Sequence, residues 1–132
     1  MYPIKILIVD DEQDVEILFR QKFRKELRDS QFNFHFAFSA EAALAYLKTL
    51  QPLDVVLVLS DINMPGMNGL ELLKLIKTDF PDLKVIMVTA YGDAANHQTA
   101  IGYGADDLIT KPVDFNLLKQ RITMLNPDQY IN

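Results

Sequence analysis

The 132-residue sequence contains no cysteine, which excludes disulfides, thiolate metal sites and cysteine nucleophiles. It also lacks any apolar run near the ~18 residues that crossing a bilayer takes. There is no surplus of basic residues. The formal net charge is −5, which argues against direct binding of nucleic acid or of an anionic membrane surface, since both select basic patches. Residues 1–5, Met-Tyr-Pro-Ile-Lys, lack the charged-then-apolar layout of a secretory signal, so the expected location is the cytoplasm. Neither glycine-rich nucleotide loop, G-x-x-x-x-G-K-[ST] or G-x-G-x-x-G, occurs, so a phosphate is not expected to arrive as a bound nucleotide.

What is present suits one domain. The length allows a single core, and 49% apolar residues argue against disorder. Residues 55–59, Val-Val-Leu-Val-Leu, are apolar without alternation, as in a strand buried on both faces of a parallel sheet. Ser60 and Asp61 follow, and Pro65, Gly66 and Gly69 then turn the chain. Asp61 is thus placed at the carboxyl end of a central strand, where open α/β sheets hold their ligands. A carboxylate there costs desolvation unless a cation or a reaction occupies it. The competing reading is that Asp61 only caps a turn.

The remaining segments repeat that plan. Residues 4–9 form a β-branched run that ends in Asp10 and Asp11. Val15, Leu18, Phe19, Phe23 and Leu27 then share one helical face. Glu12 and Asp14 suit the first turn of that helix and need no further role. Residues 31–38 alternate strictly, predicting an edge strand with four phenylalanines on its buried face. His35 points the other way, and a lone histidine there reads as structural. Ser39 is a plausible N-cap for a helix over 40–50. A third helix follows Gly69, and residues 83–88 give another buried strand that ends in Thr89. A short, polar fourth helix is expected over 93–101, closed by Gly102 and Gly104. Residues 107–110 form a brief strand running into Lys111-Pro112, and Asp114 caps a last helix. Five strands alternating with five helices predict an α/β fold, a parallel sheet covered on both faces. The domain is expected over 4–125, with 126–132 a tail or the start of a linker.

In such a sheet the ends of strands one, three, four and five open on one edge. Asp10, Asp11, Asp61, Thr89 and Lys111 therefore converge. Three carboxylates repel one another, and a hard divalent cation such as Mg²⁺ is the usual remedy, leaving room for a phosphate oxygen. A lysine opposite can hold a second phosphate oxygen as a point charge. Asp61 can then act as a nucleophile and form an acyl phosphate.

With these motifs in order, Val9-Asp10-Asp11, residues 60–69, Val88-Thr89-Ala90, residues 104–107 and Thr110-Lys111-Pro112, the chain resembles the receiver domains of two-component response regulators. The resemblance covers about 4–125. It implies a flavodoxin-like fold with strand order 2-1-3-4-5, working as a phosphorylation-operated switch whose only catalysis is its own phosphotransfer and slow autodephosphorylation. It implies that Asp61 is the phospho-acceptor, charged from a phosphohistidine on a sensor histidine kinase or phosphotransfer protein. Asp11, Asp61 and the backbone carbonyl of Asn63 would ligate Mg²⁺, with Asp10 acting through water. Lys111 would pair with the phosphoryl group across a cis Lys111-Pro112 bond, and Thr89 would move to meet it. The signal would leave through the face of helix four, strand five and helix five, to a partner, an output domain or a second copy.

One position departs from that pattern. The residue three before the lysine is usually Tyr or Phe, and here it is Leu108, which puts the aromatic part of the switch in doubt. Tyr91, two residues after Thr89, is a candidate cover over the site that would slow attack by water on the phosphate; the competing reading is an exposed loop tyrosine. Two other functions compete. A dehalogenase-type aspartyl phosphatase would want an acid at position 63, where Asn63 stands, and a substrate cap. An interaction module that is never phosphorylated would gain nothing from burying these charges.

Overall fold

A computed structural model describes residues 3–50, 54–55, 57–90 and 92–125. In chain order the elements are β1 (Ile4–Val9), α1 (Asp14–Lys22), α2 (Arg24–Arg28), β2 (Phe32–Ala37), α3 (Ala40–Thr49), β3 (Leu57–Asp61), α4 (Gly69–Asp79), β4 (Lys84–Thr89), α5 (Ala94–Gly102), β5 (Asp107–Thr110) and α6 (Phe115–Leu125). The strands form one parallel sheet in the order β2-β1-β3-β4-β5. Expected and observed order agree.

The apolar residues of each inner strand divide between two cores, as the period of two requires. Leu7, Val9, Val58, Val85 and Met87 face α3, α4 and α5 with Leu47, Leu72 and Ile76. Ile6, Ile8, Leu57, Leu59, Ile86 and Val88 face α1, α2 and α6 with Phe19, Phe23, Leu118 and Ile122. That second core is rich in rings. Phe23 stands edge-on to Phe32, Phe34 and Phe115, with centroids 5.2 to 5.9 Å apart. Each such pair contributes about 0.5–1.5 kcal/mol beyond its buried area.

Three details differ from the sequence reading. Six helices are present among the described residues, not five, because the first breaks in two at Phe23 (φ −108°, ψ 21°). The bend lets Phe23 enter the core fully, while its N–H still reaches the Phe19 carbonyl at 2.9 Å. Leu18, expected on the buried face, is 41% exposed. Phe38, expected among the buried phenylalanines, is 37% exposed, because β2 ends at Ala37 and the chain turns into α3.

The local signals for helix starts hold up better. Ser39 caps α3 by accepting from the Ala42 N–H at 3.0 Å. Asp114 accepts from the Leu117 N–H of α6 in the same way, while Asp93, expected as the first residue of its helix, is the cap of α5 and accepts from the Asn96 N–H. α4 opens on a capping box between Asn68 and Glu71. His35 is exposed and lies flat on Tyr46, with centroids 3.6 Å apart. Tyr91 lies outside the described residues, as do 126–132. Among the described residues no helix is long and apolar enough to cross a membrane.

Candidate functional site

The parallel arrangement brings the carboxyl ends of β1, β3, β4 and β5 to one edge. Asp61 is the last residue of β3, paired with Val88, and only 4% exposed. Its burial follows from its place in a strand covered on both sides. Asp10 and Asp11 follow β1, the first half-buried and the second exposed. One carboxylate oxygen from each of Asp10, Asp11 and Asp61 can be chosen so that all lie within 4.8 Å of one another. Three hard oxygen donors at that spacing fit a divalent cation such as Mg²⁺.

Each oxygen of Asp61 has a fixed partner. The Asn63 N–H donates to Oδ1 at 3.2 Å, and the Lys111 Nζ donates to Oδ2 at 2.8 Å. Lys111 follows β5, and the Lys111-Pro112 peptide is cis. Burial works to lower the Lys111 ammonium, but its bond to Asp61 and the charges of Asp61, Asp10 and Glu12 outweigh it. The ammonium is held above the ordinary lysine range. For Asp10 burial is the main influence, and it raises the carboxyl, with the Asp61 and Asp11 charges adding to it. The Glu12 N–H, donating at 2.9 Å, works the other way without cancelling them. The carboxylates are thus held together at an electrostatic cost.

The loop after β3 is packed against the acceptor rather than free. Ile62 and Met64 are buried in it, and the Gly69 N–H donates to the Ile62 carbonyl at 2.7 Å. A Cβ on Gly69 would lie 2.1 Å from the Asp61 carbonyl oxygen, so only glycine lets α4 begin this close to the acceptor. Gly66, at φ +74°, makes the turn beneath the Glu41 side chain.

Every side chain expected at the site is at this edge, though in different settings. Asn63 is exposed on the loop. Thr89 ends β4 and is 1% exposed. Its hydroxyl lies 2.6 Å from His97 Nε2, a partner on α5 that the sequence reading did not anticipate. An i,i+8 spacing across a loop follows no local period, so only the fold brings the two together. Leu108 is half-buried and packs with the core beneath α5. A cavity of about 660 Å³ shares Asp10, Asp61 and Lys111 with the site and has apolar walls that include Ile8, Phe19, Leu59 and Val88.

Comparison with known proteins places the chain among relatives of one kind. A family profile described as the response regulator receiver domain matches residues 6–123. The chain is 33% identical over 129 residues to the sporulation initiation phosphotransferase F of Bacillus subtilis, covering 93% of this chain and 94% of that protein. It is also 36% identical over 118 residues to a cyclic di-GMP phosphodiesterase of Thermotoga maritima. That match covers 89% of this chain but only 30% of the relative. It is 38% identical to the response regulator protein FleR of Pseudomonas aeruginosa, covering 86% of this chain and 23% of that protein. The chain thus spans less than a third of these last two relatives. Among solved structures, the receiver domain of NtrX from Brucella abortus superposes with a TM-score of 0.77. The identity is 34%, with 91% of this chain and 96% of that one covered. A receiver domain protein from Clostridium thermocellum gives 0.84 at 25% identity, with 96% of each chain covered.

Proposed function

The chain belongs to the response regulator receiver domain family, and from that premise we propose that Asp61 is the residue on which it is phosphorylated. The observation that carries this reading is the Asp61 carboxylate, buried at a strand end with Lys111 on one oxygen and two further carboxylates beside it. A family built as a signalling switch, and not as a turnover catalyst, explains why so strained a cluster is kept. The receiver unit is proposed to run over 4–125, with 126–132 outside it as a tail or linker.

The donor is a phosphohistidine on a sensor histidine kinase or a histidine phosphotransfer protein. An Asp61 oxygen attacks the phosphorus, the N–P bond of the phosphohistidine breaks, and the departing imidazole takes up a proton. The Asn63 N–H and the Lys111 ammonium orient the carboxylate for in-line attack, and the ammonium then follows the charge onto a phosphoryl oxygen. Asp10, Asp11, Asp61 and the Asn63 backbone carbonyl would hold Mg²⁺, which supplies positive charge against the phosphoryl oxygens. The cavity beside Asp61 leaves space for the incoming imidazole. Reversal by water, the one hydrolytic step proposed, attacks the same phosphorus and returns the free carboxylate and inorganic phosphate.

The output face is that of α5, β5 and α6, towards a partner, an output domain or a homodimer. It carries Ile101, 63% exposed, and Met124, 71% exposed. No direct contact with nucleic acid or membrane is proposed for this domain, whose net charge is −5. The location proposed is the cytoplasm, where such donors would be reached.

Intact mass after incubation with Mg²⁺ and a small acyl phosphate tests the reading. One added phosphoryl group is expected, dependent on Mg²⁺ and lost in Asp61→Asn. An unmodified wild-type chain, under conditions that label another receiver domain, would refute it.

A further inference from the structure

Thr89 is buried at the end of β4, and its hydroxyl has two neighbours, the Ala90 carbonyl at 3.3 Å and His97 Nε2 at 2.6 Å. The longer contact is weak, so the short one fixes the rotor. His97 sits in the first turns of α5, where its N–H donates to the Asp93 carbonyl at 3.1 Å. That helix is thinly held, with Ala100 its one buried residue. Its other side-chain hydrogen bonds, Asn96 with Asp93 and Thr99 with the Ala95 carbonyl, stay within the helix and its cap. Among the described residues, Thr89–His97 is therefore the one side-chain hydrogen bond that ties α5 to the sheet. On the neighbouring strand Leu108 packs against the same core with no polar group to offer.

We infer that His97 is the positioning residue that couples Thr89 to α5, holding the hydroxyl away from Asp61 until a phosphoryl group draws it off. This inference rests on the reading of Asp61 as acceptor. With Nε2 as the acceptor of the 2.6 Å contact, the two states exclude each other. A change of rotamer at Thr89 moves Oγ1 by about 2.3 Å about the Cα–Cβ bond. The hydroxyl has one proton to give, so donation to a phosphoryl oxygen ends any donation to the ring. Release of His97 removes, among the described residues, the one side-chain hydrogen bond from α5 to β4, in a chain whose Leu108 has no hydroxyl or ring to carry the movement. A helix held by one buried residue can shift at little cost.

The experiment uses the full chain, ¹⁵N-labelled, with Mg²⁺ and a continuing excess of acetyl phosphate. Intact mass and long-range ¹H–¹⁵N spectra of the histidine rings are recorded on the same sample. The sequence has two histidines, and His35, stacked on Tyr46, serves as the internal control. On phosphorylation the His97 Nε2 resonance is expected to move and that of His35 to stay. In Thr89→Ala the His97 resonance is expected not to respond to phosphorylation. His97→Ala, which frees the hydroxyl, is expected to take up the phosphoryl group roughly fivefold faster, the factor for one released hydrogen bond. His97→Gln, whose amide oxygen can accept from the hydroxyl in place of Nε2, should return the rate to near wild type. Loss of a merely structural contact would lower the melting temperature without raising that rate. A full mass gain with His97 unmoved would overturn the coupling and leave the acceptor reading standing. No mass gain at all would overturn the acceptor reading and the coupling with it.

Discussion

Replacing Lys111 with methionine should destabilise the metal-free protein only while Asp61 is charged. Asp61 is 4% exposed, and its Oδ2 receives the Lys111 ammonium at 2.8 Å. Lys111→Met leaves that oxygen without its cation, beside Asp10 and Asp11. A hydrogen bond to a charged group contributes about 1.5–3 kcal/mol. The lysine side chain is 42% exposed, so water screens its end, and the loss should sit near the bottom of that range, about 1.5 kcal/mol. For a domain of this size that corresponds to roughly 6 °C in Tm. Asp61→Asn removes the charge that needs the partner, so the same lysine substitution in that background should cost about 0.5 kcal/mol or less. The coupling energy is then about 1 kcal/mol. Urea unfolding of the four proteins in EDTA measures this as a shift in midpoint at unchanged slope. Equal losses in the two backgrounds would refute the pairing of Lys111 with Asp61 as the source of the effect.

Gly69→Ala should cost roughly 3 kcal/mol, the upper end for overpacking, because its Cβ would meet the Asp61 carbonyl oxygen at 2.1 Å. A urea midpoint near wild type would contradict that contact. Asp10→Asn should raise stability at pH 7 without metal. Burial holds the Asp10 carboxyl above its ordinary value of 3.8, so the native chain binds the proton more readily than the unfolded one. Stability is then lost as pH rises through that window. The gain from Asp10→Asn should shrink towards pH 4, and a gain that grows on acidification would be the wrong sign. Mg²⁺ at ten times its Kd should stabilise by about 1.4 kcal/mol, or roughly 5 °C. An Asp11→Asn protein that keeps the full shift would remove Asp11 from the cation site.

The features legible in the sequence were those set by short-range rules. Alternation of buried β-branched runs with amphipathic segments fixed the parallel sheet, and a parallel sheet places every strand's carboxyl end on one edge. Asp10, Asp11, Asp61, Thr89 and Lys111 were assembled by that rule alone. The capping residues Ser39 and Asp114 needed only local geometry. The parts that were missed depend on packing across the fold. The break at Phe23 is made by a ring entering the core between Phe32, Phe34 and Phe115, and no periodicity in residues 14–28 reports those partners. Leu18 keeps the helical spacing of its neighbours but flanks a cavity instead of the core. Phe38 keeps the alternation of β2 past the point where the strand stops. No local period links His97 to Thr89, and only the turn from β4 into α5 brings them together.

The central claim is that the phosphoryl group resides on Asp61 and on neither neighbouring aspartate. Borohydride reduces an aspartyl phosphate to homoserine, which marks the acceptor permanently in the chain. The wild-type protein, phosphorylated with Mg²⁺ and acetyl phosphate and then reduced, should yield homoserine at position 61 on peptide sequencing by mass spectrometry, with positions 10 and 11 unchanged. Homoserine at 10 or 11, or at none of the three in a chain that had gained a phosphoryl group, would contradict the account.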